Sequence, residues 1–563
     1  MRAPISLVLP LFLLASNFAF SENPAPQQSI ASTEAESLKH GLTLYRTGRF
    51  DDAIVSYQSA LSQNPKSGQA YAGLVRCYLK QEKIQEAAAT VKGASEIVPT
   101  SSALQVAAGE LLFRQGDIAG AEKQFVAVIN SGAVEPRAYL GLERISRAIS
   151  MYKRAKRMID TAHDLDPQDP EISRVWLSTL NRADRRKELE RYLAQQTNDD
   201  QETLEALQRS LELLKDEEKE PAKRCRLAND LSSSESSLEA ILNGPNHLVG
   251  YGLNVKLNGH GSRLLVDTGA SGVVLGRRAA EKAGITALVS SKLYGIGDKG
   301  AVNSFFGYAD SIRVGDLEFR DCLVEVSEKK NAMDIDGLIG TDVFDDFLIT
   351  LDMPNMRLRL KTLPPRAGEA AKPKGLKTAT PTVAQDTPDL NSAIAAQKNA
   401  DPARTVSTQP PALSGPQDRY IAPEMESFSR VFRFGHDLLI PTMLGDKPPK
   451  LFLIDTGAVG NLVSPAAARE VTKVSRDETI EIRGLNGKVE KVYRADRATL
   501  TFSRFKQQNQ DIVAFDLSGI SKNLGTEVSG ALGFPILRLL EITIDYRDGL
   551  VGFNYDPKRW PRP

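Results

Sequence analysis

The chain has 563 residues, more than one hydrophobic core supports, so roughly three or four domains are expected. Its 71 basic residues balance 71 acidic ones, which removes any bulk electrostatic ground for a nucleic-acid or anionic-membrane partner. The five histidines are isolated and the three cysteines lack metal-binding spacing, so metal and Ser–His chemistry find no support and no cofactor is expected.

At the N-terminus, Met1-Arg2 precedes a mostly apolar run from Ile5 to Phe20, and Ala19-Phe20-Ser21 offers small residues for cleavage before Glu22. This is the layout of a secretory signal peptide over residues 1–21. An uncleaved anchor is the alternative, and Pro10 and the short run argue against it. No other segment approaches the ~20 apolar residues that span a bilayer. An exported protein, periplasmic or secreted and off the membrane after cleavage, is expected.

A period of 34 residues follows. Ala53, Ala87, Ala121 and Ala155 recur at that interval, as do Ala60, Ala94, Val128 and Ala162. Large apolar slots repeat in kind: Phe50, Ile84, Ile118 and Tyr152, then Tyr57, Val91, Phe125 and Ile159. Small alanines let antiparallel helices approach, the large residues plug the gap, and Pro65, Pro99 and Pro167 end the second helix of a pair. Stacked pairs then bury a core that no single pair could bury. The pattern resembles the tetratricopeptide repeat (TPR) family over about residues 34–170, with capping helices extending the helical domain over 30–218. The resemblance implies either a spacer or a groove that binds a protein partner. Cys77 falls on a helical core position and Cys322 in a strand-like run, so both are expected as buried free thiols.

Residues 219–245 read as a linker, after which the texture turns to alternating strands over 246–362. Residues 363–422 fill with Pro, Ala, Thr, Gln and Lys, the composition of a flexible linker, and strands return over 423–557. The two β segments repeat each other. Leu264 to Leu275 matches Phe452 to Val463, each carrying Asp-Thr-Gly-Ala: Asp267-Thr268-Gly269-Ala270 and Asp455-Thr456-Gly457-Ala458. Gly295-Ile296-Gly297 and Gly484-Leu485-Asn486-Gly487 follow at 28 and 29 residues beyond the aspartates. The Gly340 segment matches the Gly533 segment, and Thr350 to Leu360 matches Thr543 to Phe553 as a closing hairpin.

An aliphatic strand ending in Asp-Thr-Gly presents a carboxylate at its tip, and glycine permits the tight turn that follows. Two such carboxylates face to face cannot both ionise easily, so they share a proton and act as general acid and base on a water and a carbonyl. The shared proton belongs to the pair.

Both β segments resemble retropepsin-type aspartic protease lobes over about residues 248–360 and 428–556. The fold this implies is a TPR α-solenoid followed by two retropepsin-like β-barrel lobes. The resemblance implies that Asp267 and Asp455 are the catalytic pair, that Thr268 and Thr456 grip each other's loops, and that the residues from Gly295 and from Gly484 form flaps over a peptide. Gly340 and Gly533 would pack behind the catalytic loops. The expected activity is an aspartic endopeptidase acting on a peptide or protein substrate, with the repeats recruiting substrate or partner. The alternative is a weak or inactive protease-like scaffold whose repeats bind proteins. Whether the lobes pair within one chain or across a homodimer is left open by the sequence.

Overall fold

The 34-residue period is realised in helix starts. In the computed structural model, which describes residues 33–195, 199, 201–219, 225–229, 231–242, 248–298, 300–328, 335–366, 419–484 and 487–559, the helices run in pairs. They are α1 (Glu34–Arg46) with α2 (Phe50–Gln63), α3 (Gly68–Lys80) with α4 (Ile84–Ile97), α5 (Ser102–Arg114) with α6 (Ile118–Asn130), and α7 (Pro136–Ala148) with α8 (Tyr152–Leu165). A fifth pair, α9 (Pro170–Ser178) and α10 (Arg182–Ala194), and then α11 (Gln201–Lys219) complete the helical part. No described helix is long and apolar enough to cross a membrane. The signal-peptide segment 1–21, residues 367–418 of the interlobe segment, and Leu485 and Asn486 lie outside the described residues.

Local chemistry sets the helix ends. Thr33, Ser67, Ser101 and Asp169 cap the N-termini of α1, α3, α5 and α9 through their side-chain oxygens. The turn inside each pair needs a left-handed residue at one recurring slot. Glycine supplies it at Gly48 (φ 75°) and Gly116 (φ 81°), while Glu82 and Ser150 adopt φ 60° at the same slot. Between pairs, aromatic rings take the place of missing Cβ atoms. A Cβ on Gly73 would lie 2.4 Å from the Tyr57 ring, and one on Gly141 2.3 Å from the Phe125 ring. The inner faces of the odd-numbered helices carry a buried ion network. Arg137 pairs with Glu110 at 2.7 Å, Asp169 at 2.8 Å and Glu171 at 2.5 Å, and Arg76 also reaches Glu110 at 2.7 Å. These charges neutralise one another between neighbouring repeats, which fixes how the pairs stack.

Both β lobes are built alike. In the first, strands Leu248–Leu257 and His260–Asp267 form a hairpin, and the second of them runs parallel to Gly337–Gly340, with Asp267 beside Gly340. In the second, Asp437–Leu444 pairs with Lys450–Ile454, which runs parallel to Gly530–Leu532. The closing hairpins join the lobes. Strand Phe347–Asp352 pairs antiparallel with Glu541–Asp545, Ile349 opposite Ile544 and Thr350 opposite Thr543, so strands of both lobes share one 14-stranded sheet.

The solenoid docks on the second lobe. Phe113, Phe125 and Val128 share one buried cluster with Leu439, Leu451 and Leu453. At the end of α5, the Glu527 N–H donates to the Arg114 carbonyl (2.9 Å) and the Thr526 hydroxyl to the Phe113 carbonyl (2.8 Å).

Two expectations are corrected. Cys322 is not a free thiol: it forms a disulfide with Cys225, 97 residues earlier, while Cys77 is the buried free cysteine. The odd count had hidden a pair plus one. Residues 219–245 are not simply a linker, because Ser233–Leu242 is a ten-residue strand between Arg357–Thr362 and Leu248–Leu257. Its serine and glutamate content masked a strand with only some positions buried. Closing so long a loop constrains the unfolded chain, so reduction or Cys322→Ser is expected to cost the first lobe about 2–4 kcal/mol. Thermal unfolding with and without reductant checks this; an unchanged transition would contradict it.

Candidate active site

Each Asp-Thr-Gly loop leaves the end of a buried strand, and the two loops meet within one chain. The threonines make the join. The Thr268 hydroxyl donates to the Ile454 carbonyl (2.6 Å) and accepts from the Thr456 N–H (3.0 Å). The Thr456 hydroxyl donates to the Val266 carbonyl (2.9 Å) and accepts from the Thr268 N–H (3.1 Å). Both threonines are fully buried, so these four bonds satisfy groups that have no water to turn to.

The grip brings Asp267 and Asp455 into hydrogen-bonding contact. Glycine is required on both sides of that contact. A Cβ on Gly457 would lie 2.5 Å from the Asp267 carboxyl carbon, and one on Gly269 3.1 Å from that of Asp455. Backbone donors then differ between the two acids. Asp267 accepts from the Gly269 N–H (2.8 Å), whereas Asp455 accepts from both Gly457 and Ala458 N–H groups (each 2.9 Å). Burial pushes both carboxyls above the usual carboxylate range, and the neighbouring Asp455 charge adds to the rise at Asp267, which is pushed well up. The extra N–H on Asp455 favours its anion and so biases the shared proton of the pair towards Asp267.

Behind the loops sit the later glycines. The Gly340 N–H donates to the Gly272 carbonyl (2.7 Å), and a Cβ there would lie 2.3 Å from the Ala270 oxygen. In the second lobe the Phe534 N–H donates to the Ala458 carbonyl (2.8 Å), and a Cβ on Gly533 would lie 2.1 Å from the Gly460 oxygen. The glycine segments that the resemblance assigns to flaps meet each other. Gly484 backs onto Ile296 so closely that a Cβ would lie 2.3 Å from its carbonyl oxygen. Ile296 also packs on the cluster holding Val489 and Val492. The Asp298 carboxylate accepts from the Glu490 N–H (2.7 Å), and the Asp298 N–H donates to the Lys488 carbonyl (3.2 Å). Gly297 (φ 131°) and Gly487 (φ 101°) take backbone angles that side chains resist, and Gly295 leads into the first of these turns.

Several site residues escaped the sequence reading. Asp342 accepts from the Gly272 N–H (2.9 Å) and supports the first loop, while Asn461 accepts from the Gly533 N–H (3.0 Å) and does so in the second. His436 reaches the Gly269 carbonyl at 3.3 Å from the opposite lobe, with Asp437 beside it. Asp342 stood in a motif already matched between the lobes, a signal that could have found it. His436 and Asp437 had none, because they come next to the loop only when the lobes dock.

Among the described residues, no group of three or more His, Cys, Asp or Glu could hold a metal ion. Several carboxyls besides the pair are raised. Burial pushes Asp345, Asp437 and Asp545 up to about 6, against the partial pull of Arg433 on Asp345 and of His436 on Asp437. The folded chain therefore binds these protons at a higher pH than the unfolded chain, and stability rises as pH falls through about 6 towards 4. Below that, Glu110 and Glu171, whose carboxyls are lowered, lose their contribution as they protonate. Calorimetry is expected to show a higher Tm at about pH 5 than at about pH 7.5, and a fall below about pH 4. A Tm that rises steadily with pH would contradict this.

The aspartyl protease family matches residues 253–343 and again 440–536, and the tetratricopeptide repeat family matches residues 44–105. The UBA domain-containing protein Mud1 of Schizosaccharomyces pombe is 27% identical over 183 residues, covering 29% of this chain and 54% of that protein. DNA damage-inducible protein 1 of Neurospora crassa is 28% identical over 238 residues, covering 41% of this chain and 49% of its own length. The chain thus spans about half the length of the curated relatives it matches. A thermophilic TPR protein of Thermus thermophilus is 20% identical, with a TM-score of 0.25, covering 29% of this chain and 92% of its own. With the grip, the carboxyl pair and the supporting glycines in place, the chain is a tetratricopeptide-repeat protein that carries two retropepsin-like aspartyl protease domains.

Proposed function

We propose that the chain is an exported aspartic endopeptidase whose two lobes form one active site. The observation that carries this reading is the pair itself: two half-buried carboxyls hydrogen-bonded to each other, Asp267 held by one backbone N–H of its own loop and Asp455 by two. In this reading Asp455, as the anion, takes a proton from a water poised between the acids. The oxygen of that water adds to the carbonyl carbon while Asp267 gives its proton to the carbonyl oxygen, so that both oxygens become hydroxyls of a tetrahedral intermediate. Proton transfer to the departing amine then completes hydrolysis without a covalent intermediate. The segments at Ile296 and Gly484 close over the peptide backbone. The repeats bring substrate or a partner protein to the lobes they dock against.

Export is supported by the signal-peptide layout of residues 1–21 and by the Cys225–Cys322 disulfide, a bond that persists in oxidising compartments. N-terminal sequencing of the mature protein from the medium or envelope fraction tests it, and recovery only from the reducing cytoplasm, with Met1 retained, would refute it.

The catalytic reading is tested by cleavage of a mixed peptide library at roughly pH 4 to 7. Asp267→Asn and Asp455→Asn are each expected to lower kcat at least about 100-fold. Cleavage that survives both changes would sink the pair mechanism, and a wild-type chain with no cleavage anywhere in this range would favour the scaffold reading.

The glycines offer a second check. Gly457→Ala pushes a methyl into the Asp267 carboxyl and is expected to cost about 100-fold in kcat. Gly269→Ala, with its wider 3.1 Å approach, should cost less. The reverse order would show that the carboxyl contact does not limit the reaction.

A further inference from the structure

The two lobes are similar enough for their differences to be aligned position by position. Gly252 pairs with Leu265, two residues before Asp267, and Leu439 pairs with Leu453, two before Asp455. By that register, Gly250 of the first lobe corresponds to Asp437 of the second. Past the Asp-Thr-Gly-Ala motifs, Ser271 corresponds to Val459, and past the supporting glycines, Asp342 corresponds to Pro535. The pseudo-twofold relation places one member of each pair at opposite ends of the cleft.

At one end the first lobe supplies Ser271 and Asp342, and the second lobe reaches across with His436 and Asp437. The Ser271 hydroxyl donates to Asp342 (3.2 Å), and His436 Nε2 lies 3.3 Å from the Gly269 carbonyl and 3.4 Å from the Asp437 carboxylate. Asp437 is close enough to Asp342 and to both acids of the pair for their charges to act on one another. Of the basic groups nearby, Arg433 faces Asp345 at 3.4 Å and His436 lies against Asp437. The other end is built differently. Val459, the residue just past the second Asp-Thr-Gly-Ala motif, stands 53% exposed. Gly250 and Pro535 add no charge there, and Tyr251 packs edge-on against Phe534 with ring centres 5.1 Å apart. The asymmetry lies in the same three positions of a repeated frame, so it is not a by-product of different folds.

We propose that the cleft is directional: its Asp342–Asp437 end receives a lysine or arginine side chain flanking one side of the scissile bond, and its Val459 end an apolar side chain on the other. This rests on the reading of Asp267 and Asp455 as the catalytic pair. Above about pH 6, where Asp437 is ionised, a cationic side chain at the first end donates hydrogen bonds to the carboxylates there, and an acidic one meets like charge. At the other end, covering Val459 removes apolar surface from water.

The test uses the full chain and matched peptides that differ only in one flanking residue: Lys, Gln or Glu. The expected ratio of kcat/KM for the Lys over the Gln peptide is about tenfold. Asp437→Asn should bring that ratio close to one, and Asp437→Glu should restore it. A ratio near one in the wild type, or one that Asp437→Asn leaves in place, overturns the proposal. Because the ratio compares two peptides on one preparation, partial misfolding of a variant does not mimic the result. In parallel, the same peptides are bound to Asp267→Asn and followed by fluorescence anisotropy. Selective binding of the Lys peptide without any wild-type cleavage keeps the directional cleft and discards the catalytic reading, whereas cleavage without selectivity does the opposite. Equal binding of all three peptides with no cleavage overturns both.

Discussion

Everything at the cleft depends on the reciprocal grip of Thr268 and Thr456. Each hydroxyl accepts from the opposite loop's N–H and donates to a carbonyl in the last two residues of the opposite strand. The geometry is closed, since removing one hydroxyl strands an N–H and a carbonyl in a site that excludes water. It also holds two acidic side chains in a contact that burial and like charge both oppose. The interlobe sheet supplies the framework, with Thr350 and Thr543 within hydrogen-bonding distance across it at 3.2 Å. The cost of the carboxyl contact is carried by structure that lies outside it.

The solenoid is part of the same assembly. The apolar cluster of helices α5–α9 continues into the second lobe, and Arg433 links three bodies at one point. That guanidinium donates to the Tyr546 carbonyl (2.9 Å) in its own lobe, reaches the Tyr152 hydroxyl of α8 (3.3 Å), and faces Asp345 of the first lobe. The hairpin carrying Arg433 also carries His436 and Asp437 to the cleft. A contact made by the repeats is therefore only a few residues from the side chains that set the cleft's acidic end.

Much of this was legible because repetition makes a pattern hard to mistake. A 34-residue period with alanines and large apolar residues in fixed slots allows one packing solution, and the helix starts fall on it. The Asp-Thr-Gly-Ala loops and the glycines behind them were legible for a related reason: close backbone approach admits almost no other residue. Cys322 was misread because cysteine parity says nothing about which thiols meet. Ser233–Leu242 was missed because its alternation is carried by serine and glutamate, with few large apolar residues to mark a buried face.

By itself, the sequence determined the helical repeat, the duplication of the β lobe and the residue types of the two acidic loops. These follow from local periodicity and from steric limits that act within a few residues of chain. Only the tertiary structure decided that Asp267 meets Asp455 in one chain, that Asp455 receives one more N–H than Asp267, and that Asp437 comes close enough to Asp342 for their charges to interact, where its counterpart is a glycine. Those outcomes depend on how the two lobes dock. Docking brings together residues about 190 positions apart, whose hydrogen bonds and charges leave no local periodicity to read.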